Sequence, residues 1–246
     1  MTAAVIVIAG IFGLVFGSFV TALSYRLPRN ISIAHGRSGC PACGHVLEWR
    51  DLFPVLSWAI SGGRCRYCGV GISRRYPLIE LSSAVLFAVT AAVAPDIEHT
   101  LILLAMIPFL LALTIIDLEH GVMPNVLMIP LAILALIWRW RTGVAFIPDV
   151  ALGVGVAVVG LVLQAMTGKG DKGSPLIGGG DTKLLAAGAF AFSVSHFFLF
   201  LTLVGFIGCV FGAAWQLKHK TKRFPFAPGL CLGLWVVALI GDRLPF

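Results

Sequence analysis

The sequence predicts an all-α polytopic membrane protein of about eight transmembrane helices with one small loop module outside the bilayer. Three observations carry this. The chain is 59% hydrophobic and only 12% charged, with a mean hydropathy of +0.97, far from the composition of a water-soluble domain. Several apolar runs approach or exceed the roughly 18 residues needed to cross the hydrocarbon core. The basic residues collect in particular loops instead of spreading over a surface.

In chain order, apolar run length and polar boundaries place helices at about 3–23, 77–94, 100–116, 122–138, 148–166, 182–192, 196–217 and 227–241. The first run has no basic segment before it and no small-residue cleavage site after it, so it reads as a retained helix and not a signal peptide. Residues 182–192 are short for a full span, which suits a tilted helix, one joined to the next run or one seated in a cavity between others.

Eight crossings put loops 24–76, 117–121, 167–181 and 218–226 on one side. Those loops and their borders hold 15 of the 18 Lys and Arg residues, among them Arg26, Arg37, Arg64, Lys169, Lys172, Lys183, Lys222 and Arg223. The opposite side holds only Arg139, Arg141 and Arg243, so the basic side is cytoplasmic and both termini face outward. The net charge of +7 is therefore explained by topology and implies no nucleic-acid partner. The expected division is a first helix over 1–23, a soluble module over 24–76 and a transmembrane bundle over 77–246. Residues 168–180, rich in glycine and charge, read as a flexible loop feeding a functional turn.

The soluble module is too small to bury a strong core of its own. It carries Cys40-Pro-Ala-Cys43 and Cys65-Arg-Tyr-Cys68, close to the paired CxxC spacing of a tetrahedral zinc site. Gly44 and Gly69 follow each pair and permit the tight turn that aims two thiolates at one ion. A structural Zn2+ would staple the module, and a reducing cytoplasm disfavours two disulfides as the alternative. His35 and His45 are substitute ligands for a cysteine, and more ordinarily turn residues. Cys209 and Cys231 stand unpaired in apolar runs and read as packing residues.

Two acids sit where apolar runs meet polar loops. Asp117 ends the run Leu101 to Ile116, and Asp181 follows Gly178-Gly179-Gly180. An ionisable group at the edge of a membrane segment is costly, which makes each a functional candidate. Brought together, two carboxylates share a proton, and the pair can activate water while polarising a peptide carbonyl. Separately, Asp181 reads as a helix cap and Asp117 as a solvated helix end. Gly178 and Gly180 would admit an extended substrate backbone, and Lys183 stands two residues beyond Asp181 to tune it or to face headgroup water. Glu119 and His120 read as interfacial side chains.

Taken together, the motifs resemble those of the bifunctional type IV prepilin peptidases, the leader peptidase/N-methyltransferases. The resemblance spans nearly the whole chain: Gly17-Ser18-Phe19 with Arg26-Leu27-Pro28, the paired CxxC motifs, Val55-Leu56-Ser57-Trp58, Gly63-Arg64-Cys65-Arg66, Ile72-Ser73-Arg74-Arg75-Tyr76-Pro77, Asp117-Leu118-Glu119-His120, Pro124, the Gly178 to Lys183 block and Pro225-Phe226-Ala227-Pro228-Gly229. It implies that Asp117 and Asp181 are the catalytic pair of a GxGD-type membrane aspartyl protease in the bacterial inner membrane, working at its cytoplasmic face. It further implies a prepilin or pseudopilin substrate cut after the glycine that ends a basic leader, and methylation of the new amino terminus from S-adenosyl-L-methionine. The cysteine module is associated with that second activity, with Gly63 and its basic neighbours as candidate contacts to the methyl donor. Asn125 departs from the family, which often has aspartate after the proline. A GxGD protease for another substrate class, or a transporter or assembly scaffold, are the other readings of the two acids. The particular pilin and the oligomeric state are not written in the sequence.

Overall fold

The computed structural model describes residues 2–33, 35–141, 146–167, 178–220 and 224–243. Eight helices of 13 residues or more lie among them: α1 (Ala3–Arg26), α3 (Arg75–Val93), α4 (Ile97–His120), α5 (Asn125–Arg141), α6 (Phe146–Thr167), α7 (Gly179–Ala191), α8 (Val194–His219) and α9 (Ala227–Ile240), with a short α2 (Leu56–Ile60) in the first loop. Each long helix overlaps one expected run, and no strand longer than an isolated bridge occurs among the described residues. The chain is an all-α membrane protein. By length and apolarity α1, α3, α4 and α8 qualify as spans, while α9 and residues 150–166 of α6 are shorter apolar helices. Most of the 168–180 loop lies outside the described residues, as do Lys169, Lys172, Lys222 and Arg223.

Several helices run past their apolar stretch. The loop expected at 117–121 is helical through His120 and ends at Gly121, whose φ of 65° carries the left-handed cap and whose N–H donates to the Asp117 carbonyl at 2.9 Å. Asp117 consequently occupies the last turns of α4 and not a loop. Run length marks only where side chains become polar, and a helix continues through such residues until its backbone is capped.

By compactness the chain forms two units, Met1–Ala94 and Pro95–Phe246. In the first, α1 packs along α3. The contact is made by glycines: a Cβ on Gly13 would stand 2.7 Å from the Ala84 Cα, and one on Gly17 would stand 2.6 Å from the Glu80 Cα. Small residues spaced by four let helix backbones approach where lipid gives no hydrophobic drive to associate. α3 thus packs with the first helix and the loop module, whereas the functional division expected from the sequence grouped it with 77–246.

In the second unit, α4 packs on α5 and α9, and α8 on α9. The short α7 packs against α5, α6, α8 and α9, and buries Leu184, Ala186, Ala187 and Ala189. Of the options for this 13-residue helix, the one realised is a seat between longer helices. Gly160 of α6 takes Thr182 so closely that a Cβ there would overlap the threonine methyl, which brings the first turn of α7 hard against its neighbour.

Candidate active site and metal centre

The two CxxC segments fold as matching knuckles. In the first, the Cys40 N–H donates to His45 O and the Gly44 N–H to Cys40 O, both at 2.9 Å; in the second, Cys65 donates to Val70 O at 2.8 Å and Gly69 to Cys65 O at 2.9 Å. Gly44 and Gly69 have φ of 71° and 73°, a left-handed conformation that glycine adopts freely and that makes the expected tight turns. Isolated bridges, Gly39 to Val46 and Arg64 to Gly71, close each loop.

The four Sγ atoms of Cys40, Cys43, Cys65 and Cys68 all lie within 4.8 Å of one another, and Cys40 and Cys68 are 3.9 Å apart. Tetrahedral bonds of about 2.3 Å to zinc set sulfurs roughly 3.8 Å apart, so the shell fits the ion. Amide N–H groups of Cys43 and Ala42 draw the Cys40 thiol down to about 6, as a ligand that must be thiolate requires. The Val70 amide acts in the same sense on Cys68, but burial and the neighbouring thiols push it up to about 12. Four sulfurs crowded together cannot all shed protons without a cation among them. His35 bonds Ser32 and His45 stacks on Tyr67 with centroids 3.5 Å apart, so neither enters the cluster.

In the second unit the two aspartates come together from α4 and α7. Asp117 is 7% exposed, and its Oδ2 accepts the Ala227 N–H at 2.9 Å; the Phe226 amide bonds it as well. The Pro225 to Gly229 motif therefore works through its backbone: the start of α9 aims N–H groups that no helical carbonyl accepts at a carboxylate. Asp181 accepts a bond from the Gly178 N–H across the first turn of α7, and lies near enough to Asp117 for the two charges to interact. The capping role and the pairing coexist. Its Oδ1 is buried and makes no hydrogen bond among the described residues, an acceptor left available in a packed site.

The glycines around Asp181 keep the turn tight. A Cβ on Gly180 would meet the Met123 Cβ at 2.7 Å, and one on Gly178 would meet Asp181 Oδ2 at 2.8 Å. Lys183 is exposed, and its Nζ donates to Asn125 Oδ1 at 2.6 Å, tying the first turn of α7 to the first residue of α5. Glu119 and His120 are exposed, as expected of interfacial residues. Cys231 is buried within electrostatic reach of both aspartates, whereas Cys209 is exposed on α8 and not packed within the unit.

Sequence reasoning missed Glu80. It lies in α3, is 7% exposed and accepts the Val55 N–H at 2.7 Å. A lone carboxylate six residues into a helix of a membrane protein was the available signal. Gly63, a candidate contact to a methyl donor, packs under Trp58: its φ is 68°, and a Cβ there would meet the indole at 2.9 Å.

Comparison with known proteins bears on the whole chain. Residues 11–94 match the bacterial peptidase A24 N-terminal domain, and residues 104–213 match the type IV leader peptidase family. Prepilin leader peptidase/N-methyltransferases are similar over nearly the whole chain. That of Aeromonas salmonicida is 30% identical over 95% of this chain and 90% of its own, and that of Bacillus subtilis strain 168 is 31% identical over 95% and 94%. An Escherichia coli type 4 prepilin-like proteins leader peptide-processing enzyme is 31% identical over 94% of this chain and 92% of its own. No solved structure matches. Two family models in chain order and full-length relatives at this identity place the chain in the type IV prepilin leader peptidase/N-methyltransferase family.

Proposed function

We propose that this protein removes the leader from type IV prepilins or pseudopilins after its terminal glycine, at the cytoplasmic face of the bacterial inner membrane, and then methylates the new amino terminus. The observation that carries the reading is the meeting of Asp117 and Asp181, from different helices, beside an unbonded carboxylate oxygen. The placement of 15 of 18 basic residues in one set of loops supports a cytoplasmic site with both termini outside.

In this account Asp117 and Asp181 share one proton. The ionised member takes a proton from water as its oxygen bonds to the scissile carbonyl carbon, and the protonated member donates to the carbonyl oxygen. Collapse breaks the carbon–nitrogen bond, and the leaving amine takes up a proton from the pair. Ala227 and Phe226 N–H groups hold Asp117 against rotation, so little reorganisation is needed during the step. Gly178 and Gly180 keep the turn at Asp181 tight, because Met123 and the Asp181 carboxylate occupy the space a side chain would need. The pilin's apolar segment stays in the lipid bilayer, and Lys183 fixes the turn from outside through Asn125.

The 24–76 module, held by a structural Zn2+ on Cys40, Cys43, Cys65 and Cys68, serves the methylation. S-adenosyl-L-methionine supplies a sulfonium methyl group that the neutral amine can attack. The test is to incubate the detergent-solubilised protein with a prepilin: wild type yields the shortened product, and Asp117→Asn and Asp181→Asn do not. Cleavage at the wild-type rate by either variant sinks the proposal.

A further inference from the structure

The first unit contains an open cleft of about 590 Å³ lined by α1, α3 and the loop module, within the range of about 300–1,000 Å³ typical of small-molecule sites. Four aromatic side chains, Tyr25, Trp58, Tyr67 and Tyr76, are part of its lining. The Trp58 indole is fixed by donating Nε1–H to Ile72 O at 3.0 Å and by Gly63 beneath the ring. Cys40 and Cys65, the two buried members of the thiol cluster, form another part of the lining, so the metal centre and the cavity share a wall.

Two carboxylates line this space, and their partners differ. Asp51 is neutralised by Arg66 Nε at 3.4 Å and bonded by the Tyr67 hydroxyl at 3.0 Å. Glu80 is buried and receives N–H and O–H donors, from Val55 and from Ser18, but no basic side chain pairs with it among the described residues. A buried carboxylate without a counter-charge is costly, and either a proton or a cationic ligand relieves that cost.

The backbone around Glu80 is also held in an unusual state. Val55, a β-branched residue, has φ 60° and ψ −47°, and the Leu56 N–H closes a three-residue turn on Pro54 O at 2.5 Å. L-residues reach this conformation only when surrounding contacts impose it, and such residues gather at ligand sites. Here the imposing contact is the Val55 N–H on Glu80. The Val55 to Trp58 motif thereby sets one cavity wall and one buried charge with a single turn.

We infer that this cavity is the site of the methyl donor, with Glu80 facing the donor's cationic sulfonium or ammonium group and Trp58 with the tyrosines packing on its adenosyl ring. Arg37 and Arg64, which also line the cavity, match the donor's carboxylate. Aromatic faces add cation–π attraction for a sulfonium and stacking for a purine. The shared wall gives the metal a second role, since loss of the thiol shell removes part of the cavity. The assignment rests on the methyl-transfer reading above.

The test is a binding measurement on the full chain, with no turnover. Calorimetric titration with S-adenosylmethionine and with S-adenosylhomocysteine is made on wild type, Glu80→Gln and Trp58→Leu, each checked for wild-type metal content and unfolding midpoint. Both variants bind S-adenosylmethionine at least about tenfold more weakly, the loss expected for one charge-assisted contact. Glu80→Gln weakens the cationic donor more than the uncharged-sulfur product if Glu80 faces the sulfonium, and both equally if it faces the ammonium. Ultraviolet cross-linking of labelled donor to wild type places the label in peptides from residues 18–80. Wild type that binds with both variants as tight, or a label in peptides beyond Ala94, overturns the site alone. Wild type that binds no donor overturns the methyl-transfer reading and the site with it.

Discussion

Replacing Gly17 by alanine tests how the first unit is held together, and the expected size follows from the structure. The new methyl would sit 2.6 Å from the Glu80 Cα and 3.0 Å from the Ser83 Cβ, both on a rigid helix. Bringing the first contact from 2.6 Å to the 3.4 Å of ordinary packing requires α1 and α3 to part by about 0.8 Å. Overpacking of this kind costs about 1–3 kcal/mol, which for a chain of this length lowers the unfolding midpoint by roughly 2–12 °C. Gly10 provides the control on the same helix: a Cβ there meets Ala88 at 3.8 Å, an ordinary contact, so Gly10→Ala leaves the midpoint near wild type. The assay is thermal unfolding in detergent, followed by intrinsic fluorescence. Because the displaced atom belongs to Glu80, Gly17→Ala also weakens donor binding. Equal midpoints for the two variants would refute the close-approach argument.

Cys40→Ser lowers the bound zinc, measured by elemental mass spectrometry, from one per chain to well below one, and impairs methylation more than cleavage; retention of a full equivalent contradicts the four-sulfur shell. Gly180→Ala drives a methyl into Met123 beside Asp181, and a displacement near 1 Å costs about a hundredfold in cleavage rate, so an unchanged rate removes the turn from the mechanism. Asp96 caps α4 through the His99 N–H at 2.8 Å and meets Arg141, so Asp96→Ala destabilises by about 0.5–2 kcal/mol. The His99 amide and Arg141 hold the Asp96 carboxyl below its ordinary 3.8. Its contribution is therefore complete above that pH and fades as the pH falls through the lowered value, and Asp96→Asn unfolds with less acid dependence there.

Composition and run length made the helices legible, and cysteine spacing made the four-thiol cluster legible down to the two glycines. Asp117 and Asp181 stood out because charges at the ends of apolar runs are costly. Three features had no such signal. The pairing of α1 with α3 depends on which face Gly13 and Gly17 present, and a uniformly apolar helix has no polar stripe to reveal its faces. The hold on Asp117 comes from the Phe226 and Ala227 amides, and every residue except proline has such an amide, so side-chain chemistry does not announce it. The Val55 turn opposes the preference of its own residue type and is imposed by Glu80, 25 positions away. Helix ends were misjudged for a related reason, since Asp117, Glu119 and His120 are polar yet helical until Gly121 stops them.

The most direct test of the central claim is the intact mass and amino-terminal sequence of a prepilin after incubation with purified wild type, Asp117→Asn or Asp181→Asn in the presence of S-adenosylmethionine. The account predicts a cut after the leader's glycine and one added methyl group with wild type, and an uncut prepilin with both variants. A prepilin left intact by folded wild type, or cut at the same bond by either variant, would contradict it.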